Sequence, residues 1–390
     1  MTKKKHLYEV DLMRCFFMFG VVLNHVTSTF AAALGNKDTA AGRVLVSTHL
    51  ILHFPRFGFM FITGLVLFLS YYGRPEKQNW PQFWKKRYIG SGIPYLFWNG
   101  VFLAFLLLSS GTFSWNSWFT GWLDAISKGN QFYFYYIFLM FQLYLIFPLV
   151  LKLFDLFKNH LNLLLALSAV LQLGLMVWAK YFYPSMDHSS WPYLLKYYGN
   201  NIIFYQFYFI LGGWAWCHYN QLTRWLLQNR GLVFKTTALT AVGTLLLYQF
   251  NVRALHLSQH SANLIHQPYM MVYAVTMIAT IFTLCLLYAE KRSSWLEKKP
   301  AFIHWVDRSS AISFGVYLVH SISIVLLSNV LEQVQLNQWI ILALLPLGYA
   351  ACLGLTWLIA DFLYMTPPFG RLIGRPNGRK LIARFKGEIS

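Results

Sequence analysis

The chain has 390 residues, of which 57% are hydrophobic and only 12% are charged. Soluble domains carry about 25% charged residues, so this composition excludes an ordinary soluble protein and indicates an integral membrane protein. The formal net charge of +19 would suggest a nucleic-acid partner in a soluble chain, but in a membrane protein it first reports which loops face the cytoplasm. We therefore expect no nucleic-acid partner, and membrane lipids as the surroundings.

Ten apolar segments predict an all-α, polytopic membrane protein with about ten transmembrane helices, since roughly 20 apolar residues span the hydrocarbon core. The segments cover residues 12–34, 46–72, 88–109, 132–151, 161–181, 201–219, 236–252, 267–289, 311–331 and 339–364. Ten crossings place both termini on one side, and most of the Lys and Arg residues outside the segments fall on that side. The positive-inside rule then predicts cytoplasmic termini in the plasma or inner membrane. We expect residues 1–364 to form the transmembrane domain and residues 365–390 to form a basic cytosolic tail.

The first segment carries three ionisable residues, Asp11, Arg14 and His25. At about 100° per residue, Arg14 and His25 lie on one helical face, about 16 Å apart along the axis. Asp11 precedes Arg14 by one turn and can pair with it. Charged and titratable groups inside a membrane are costly and usually mark a functional cavity. A snorkelling arginine and a hydrogen-bonded core histidine are the alternative.

The second segment is too long for one straight crossing, and Pro55 predicts a break within it. His49, His53 and Arg56 lie beside this break and would share one face of an unbroken helix. They predict either polar groups that face a cavity, with Arg56 as a residue of the acceptor site, or an interfacial helix turned toward water.

Two further groups of residues are candidate binding groups. Lys86 and Arg87 end a basic, aromatic stretch before the third segment, which indicates either a membrane-interface anchor or a phosphate-binding mouth. Ser313, Tyr317 and His320 share one face of the ninth segment and predict either a cavity wall or a packed hydrogen-bond set. The loop histidines His256, His260 and His266 lack a placed acidic ligand, so we expect no metal site there.

The chain resembles the acyltransferase-3 family over nearly its whole length, through signatures that occur in the family's order. These are Asp11-x-x-Arg14 followed by ten residues and His25, the Phe-rich stretch ending in Thr63-Gly64, Arg87 with Pro94-Tyr95 behind it, the aromatic cluster before Tyr144 and Pro148, and Ser313-Phe-Gly-x-Tyr317-Leu-x-His320.

The resemblance implies an integral membrane O-acyltransferase that moves an acyl group, with acetyl as the first candidate, from cytosolic acyl-CoA to a hydroxyl of a cell-envelope polysaccharide or lipid-linked sugar. Acyl-CoA would be a co-substrate, and no permanently bound cofactor is expected. The expected catalytic residues are His25, Arg14 and Asp11.

The implied roles follow the chemistry of each side chain. His25 would either deprotonate the acceptor or carry the acyl group covalently. Arg14, oriented by Asp11, would hold the coenzyme together with Lys86 and Arg87. The acceptor would contact Arg56, Ser313, Tyr317 and His320, and the last two would orient it or stabilise the oxyanion.

Two other functions fit parts of the sequence. An exporter or flippase for a polysaccharide or lipid-linked sugar would work without acyl-CoA and need not depend on Arg14 or His25. A membrane sensor is the weaker alternative, because no soluble signalling domain is recognisable in the chain.

Overall fold

The computed structural model describes residues 6–35, 39–334 and 336–375, with only the backbone described for His260. Every regular element in these residues is helical, which confirms the all-α class. The α-helices in chain order are α1 (Tyr8–Ala33), α2 (Ala40–Ile51), α3 (Phe54–Tyr71), α4 (Trp80–Ser109), α5 (Trp115–Lys128), α6 (Tyr135–Leu156), α7 (Leu161–Val177), α8 (Tyr193–Lys196), α9 (Gln206–Cys217), α10 (Tyr219–Gln228), α11 (Arg230–Arg253), α12 (Gln259–Ala262), α13 (Pro268–Lys298), α14 (Pro300–Gln333) and α15 (Gln338–Met365).

Within the described residues, nine helical stretches are long and apolar enough to cross a membrane, with α2 and α3 counted as one. The sixth predicted segment forms a shorter apolar helix, Ile202–Cys217, that begins with a 3-10 turn. This helix runs antiparallel to α7, since Gln206 bonds to Ser168 at 2.6 Å and Trp214 bonds to Asn162 at 2.8 Å. The polytopic architecture is confirmed, and the side on which the termini lie stays a prediction.

The predicted break in the second segment is present between Ile51 and Phe54. Pro55 lies in the first turn of α3, where its missing N–H removes no helical hydrogen bond. Helix α1 passes close to this point: a Cβ added to Gly20 would lie 2.8 Å from the Pro55 ring. The break is therefore packed inside the helix bundle.

Helices α3 and α9 approach each other at two glycines. A Cβ on Gly64 would lie 2.2 Å from the carbonyl oxygen of Phe209, and one on Gly212 would lie 2.1 Å from that of Phe61. Such small residues allow membrane helices to pack backbone against backbone. Gly64 belongs to the Thr-Gly signature, so this part of the motif has a packing role.

The chain turns back into the bundle after α15. A 3-10 helix, Phe369–Ile373, receives a 2.9 Å hydrogen bond from the Trp98 indole to the Leu372 carbonyl, and Ile373 is fully buried. Arg375 Nε donates to the Ala311 carbonyl at 2.9 Å. The first residues of the expected cytosolic tail thus pack on α4 and α14. The rest of that tail, residues 376–390, lies outside the described residues.

Candidate active site

A cavity of about 260 Å³ lies among α1, α3, α4, α6 and α14. Ligand pockets commonly occupy about 300–1,000 Å³, so this cavity is slightly smaller than that range. Six predicted site residues line the cavity: Arg14, His25, Arg56, Arg87, Ser313 and Tyr317. Residues separated by 300 positions in the sequence therefore share one chamber, as their polar stripes predicted.

One end of the cavity is cationic. Arg14 Nη1 lies 3.3 Å from Asp11 Oδ1, which is the ion pair that the spacing predicted. The Ser310 hydroxyl also donates to Asp11, at 3.0 Å, and His6 Nε2 lies 2.5 Å from its other oxygen. Asp11 thus orients Arg14, and Ser310 and His6 in turn fix the Asp11 carboxylate.

Arg87 reaches the same cavity from α4, but its neighbour Lys86 does not. The Arg87 guanidinium lies 5.5 Å from the Tyr144 ring centroid and 5.6 Å from that of Phe83. Its Nε atom is buried without a hydrogen-bond partner in the described part of the chain. Lys86 is exposed on the surface and does not line the cavity.

His25 lies further along α1, against two aromatic rings. Its imidazole stacks on Tyr133, with centroids 3.5 Å apart, and on His320, with centroids 5.2 Å apart. The Tyr317 hydroxyl donates to the Tyr133 carbonyl, so α14 fixes the segment that carries Tyr133. The imidazole that the sequence predicts to be catalytic is therefore held in one orientation.

His320 is fully buried behind His25 and does not line the cavity itself. Its Nδ1 lies 2.5 Å from the Tyr317 carbonyl, and a carbonyl only accepts, so Nδ1 carries a proton. Its Nε2 is buried with no hydrogen-bond partner among the described residues. This arrangement suits a residue that positions His25 and Tyr133.

The predicted site residues omit His53, which lines the cavity at the helix break. It is 6% exposed, and the Asn24 amide donates to its Nδ1 at 3.2 Å. The Thr27 hydroxyl contacts His49 Nδ1 at 2.8 Å in the next layer. The sequence signal was the shared face of His49, His53 and Arg56, and the burial of His53 excludes the interfacial alternative for that residue.

The His6–Asp11 contact predicts a pH effect outside the membrane segments. The hydrogen bond to Asp11 raises the pKa of His6 above its ordinary value of 6.5. The charged pair is therefore fully formed at low pH and is lost as the pH rises through the raised pKa. Histidine NMR spectra of native and His6→Gln protein in nanodiscs would identify the His6 titration. We expect a midpoint above 6.5 that Asp11→Asn lowers; a native midpoint at or below 6.5 would contradict the contact.

The chain is similar to a known protein family over most of its length. A family profile described as an acyltransferase domain matches residues 7–361, which is nearly the whole chain and includes the entire cavity wall. Neither the curated proteins nor the solved structures contain a match to the chain. With its apolar helices and this match, the chain belongs to the acyltransferase-3 family and is a membrane acyltransferase.

Proposed function

We propose that the protein transfers an acyl group, with acetyl as the first candidate, from cytosolic acyl-CoA to a hydroxyl of a cell-envelope polysaccharide or lipid-linked sugar. The observation that carries this proposal is the arrangement of one cavity, with Arg14 and Arg87 at one end and His25 about 16 Å along α1. A coenzyme A thioester likewise separates its phosphates from the reacting carbon by a flexible arm.

The donor would bind at the cationic end. Guanidinium groups bind phosphate through paired, charge-assisted hydrogen bonds, which suits Arg14 and Arg87 to the coenzyme. Arg14 and Arg87 bring two positive charges to one cavity, so an anionic ligand would stabilise this end of it. Lys86 is exposed outside the cavity, so it would not contact the bound coenzyme and would only attract it by its charge.

The chemistry would take place at His25. If the imidazole acts as a base, it takes the acceptor hydroxyl proton while the oxygen attacks the thioester carbon, and the C–S bond breaks to release the coenzyme thiolate. If it acts as a nucleophile, the imidazole nitrogen attacks the thioester carbon and the C–S bond breaks to release the coenzyme thiolate. The acceptor oxygen then attacks the acyl-imidazole, the C–N bond breaks, and the acceptor hydroxyl proton passes to the imidazole. The Arg56 guanidinium lines the same cavity and suits stabilisation of the oxyanion in either route.

The remaining parts of the proposal concern the setting. The cell membrane is the proposed location, with the Arg14 end of the cavity toward the cytoplasm. Acyl-CoA is a consumed co-substrate, and no bound cofactor is proposed. Ser313 and Tyr317, on the α14 wall, are proposed contacts of the acceptor.

The proposal is tested with purified protein in liposomes, radiolabelled acetyl-CoA and an extract of the source cell's envelope glycans. We expect coenzyme release and label on a glycan fraction, both dependent on the protein. If acetyl-CoA gives no transfer, the assay is repeated with longer acyl chains. Absence of transfer from every acyl-CoA, by protein that elutes as a single folded species, would overturn the proposal.

Arg14→Gln is expected to weaken acetyl-CoA binding about 10- to 100-fold, because a hydrogen bond to a charged group contributes about 1.5–3 kcal/mol. Binding of acetyl-pantetheine, which lacks the nucleotide phosphates, should change much less. Lys86→Gln is the matched control, since it removes one neighbouring cation from the surface outside the cavity. Equal losses for both variants in a Kd measurement would mean that general surface charge, rather than the Arg14 end of the cavity, binds the donor.

A further inference from the structure

A second cavity, of about 320 Å³, lies at the connection from α5 to α6. We call it the tyrosine pocket; its wall comprises Lys128, Gly129, Asn130, Phe132, Tyr135, Tyr193, Tyr197 and Asn200. Helix α5 runs back along α4, since the Trp118 indole donates to the Gly100 carbonyl at 2.9 Å and the Tyr95 hydroxyl donates to the Ile126 carbonyl at 2.9 Å, so the connection from α5 to α6 lies beside the middle of α4. No predicted site residue lies in this pocket.

The tyrosine pocket adjoins the catalytic cavity. Tyr135 lines both cavities, and the Arg56 guanidinium lies 5.3 Å from its ring centroid on the catalytic side. Tyr133, two residues earlier, stacks on His25, while Phe132 lines the tyrosine pocket. One short segment thus separates the pocket from the imidazole.

The wall of the tyrosine pocket is fixed by hydrogen bonds between two connections that are distant in sequence. The Tyr193 hydroxyl donates to the Lys128 carbonyl at 3.0 Å and accepts from the Asn200 amide at 2.9 Å. The Asn200 carbonyl in turn accepts from Gln142 of α6 at 2.8 Å. The pocket is therefore shaped before any ligand binds.

Its chemistry is aromatic and uncharged overall. The Tyr193 and Tyr197 rings lie 4.8 Å apart, and Tyr197 is 52% exposed. The Lys128 ammonium is paired with Asp124, so the pocket has no excess charge to select an anion. Asn200 uses its amide nitrogen toward Tyr193 and Lys128, and Asn130 is exposed at the rim.

Aromatic faces beside amide groups match a sugar ring, which offers apolar C–H faces and hydroxyls that both donate and accept. We propose that the tyrosine pocket binds a neutral sugar unit of the acceptor glycan, next to the unit whose hydroxyl reaches His25. This inference rests on the proposed function and assigns the binding site of its acceptor.

The kinetic test uses full-length protein in liposomes, acetyl-CoA and oligosaccharides released from the source cell's envelope by mild acid, separated into neutral and acidic fractions. Tyr197→Ala and Asn130→Ala are each expected to raise the acceptor KM about fivefold, on the scale of an aromatic contact for Tyr197 and of a hydrogen bond for Asn130, with little change in the KM for acetyl-CoA. Tyr181→Ala is the matched control, since Tyr181 is also 52% exposed but lines neither cavity. An unchanged acceptor KM in both pocket variants, or an equal rise in the control, would overturn the inference.

A second measurement separates this inference from the proposed function, because it needs no turnover. Tyr197→Cys protein is treated with a membrane-impermeant maleimide, and the native protein gives the background from its own cysteines. We expect the neutral oligosaccharide fraction to slow labelling at least about threefold without acetyl-CoA, as for a ligand near saturation. Protection without acyl transfer would retain the pocket and reject the acyltransfer proposal. Absence of protection by every fraction would reject the pocket.

Discussion

His25→Ala is expected to lower acyl transfer at least about 100-fold, because a positioned acid or base contributes roughly 10²–10⁴ in rate. The imidazole lies on the cavity wall, where it stacks on the rings of Tyr133 and His320. The rate is measured with radiolabelled acetyl-CoA and glycan acceptor in liposomes. Donor binding at the Arg14 end should be retained.

The control for this variant is His218→Ala. His218 also stacks on an aromatic ring, that of Trp214 at 4.6 Å, but lines neither cavity. We expect near-native transfer from this control. Residual transfer above about one tenth of native in His25→Ala would exclude His25 as base and as nucleophile. Acid-labile label on native protein, absent from the variant, would select the covalent route over direct proton abstraction.

Gly212→Leu is expected to prevent formation of the native bundle. Its Cβ would lie 2.1 Å from the Phe61 carbonyl oxygen and 2.8 Å from the Leu65 nitrogen, and backbone atoms cannot rotate away as a side chain can. Overpacking a core costs about 1–3 kcal/mol even where side chains can adjust, and here two helix backbones must separate. We expect loss of the monodisperse peak in fluorescence-detected size-exclusion chromatography.

Gly174→Leu is the matched control, because Gly174 also lies in a membrane helix but has nothing within 4 Å of an added Cβ. Its elution profile and thermal midpoint in detergent should stay close to native. A monodisperse Gly212→Leu protein with a native midpoint would show that α3 and α9 do not pack through these glycines. Gly64→Ala is expected to have the same direction of effect with a smaller magnitude.

The parts of this structure that follow local rules were predictable from sequence. Apolar length gave the membrane helices, Pro55 gave the break in the second segment, and the eleven-residue spacing placed Arg14 and His25 on one face of α1. Each of these features depends on residues within a few helical turns. Ile202–Cys217 was the exception in length, because the predicted segment 201–219 includes the polar residues Asn201 and His218, which lie outside the helix.

The contacts that orient the proposed catalytic groups were not predictable. The fourth apolar segment was expected to begin at residue 132, but α6 begins at Tyr135 and Phe132 has a φ of 46°. Tyr133 therefore lies outside the helix, where α14 holds its carbonyl through Tyr317. That contact joins residues 184 apart, and nothing in the aromatic run around Tyr133 distinguishes it from a helix start. The position of Tyr133 outside the helix therefore depends on tertiary packing alone.

Because the second membrane segment is interrupted, α3 begins beside Asn24 and the buried His53, rather than at the edge of the bundle. The aligned peptide dipoles of a helix amount to about half a positive elementary charge at its first turn. Here that partial charge adds to the guanidinium of Arg56, which is in the same turn. Unlike a titratable group, it is independent of pH, and it needs no reorganisation when negative charge forms on a reacting oxygen. The opposite partial charge at the end of α2 lies close by, at Ile51, so the break provides a fixed local dipole inside the bundle rather than a net charge.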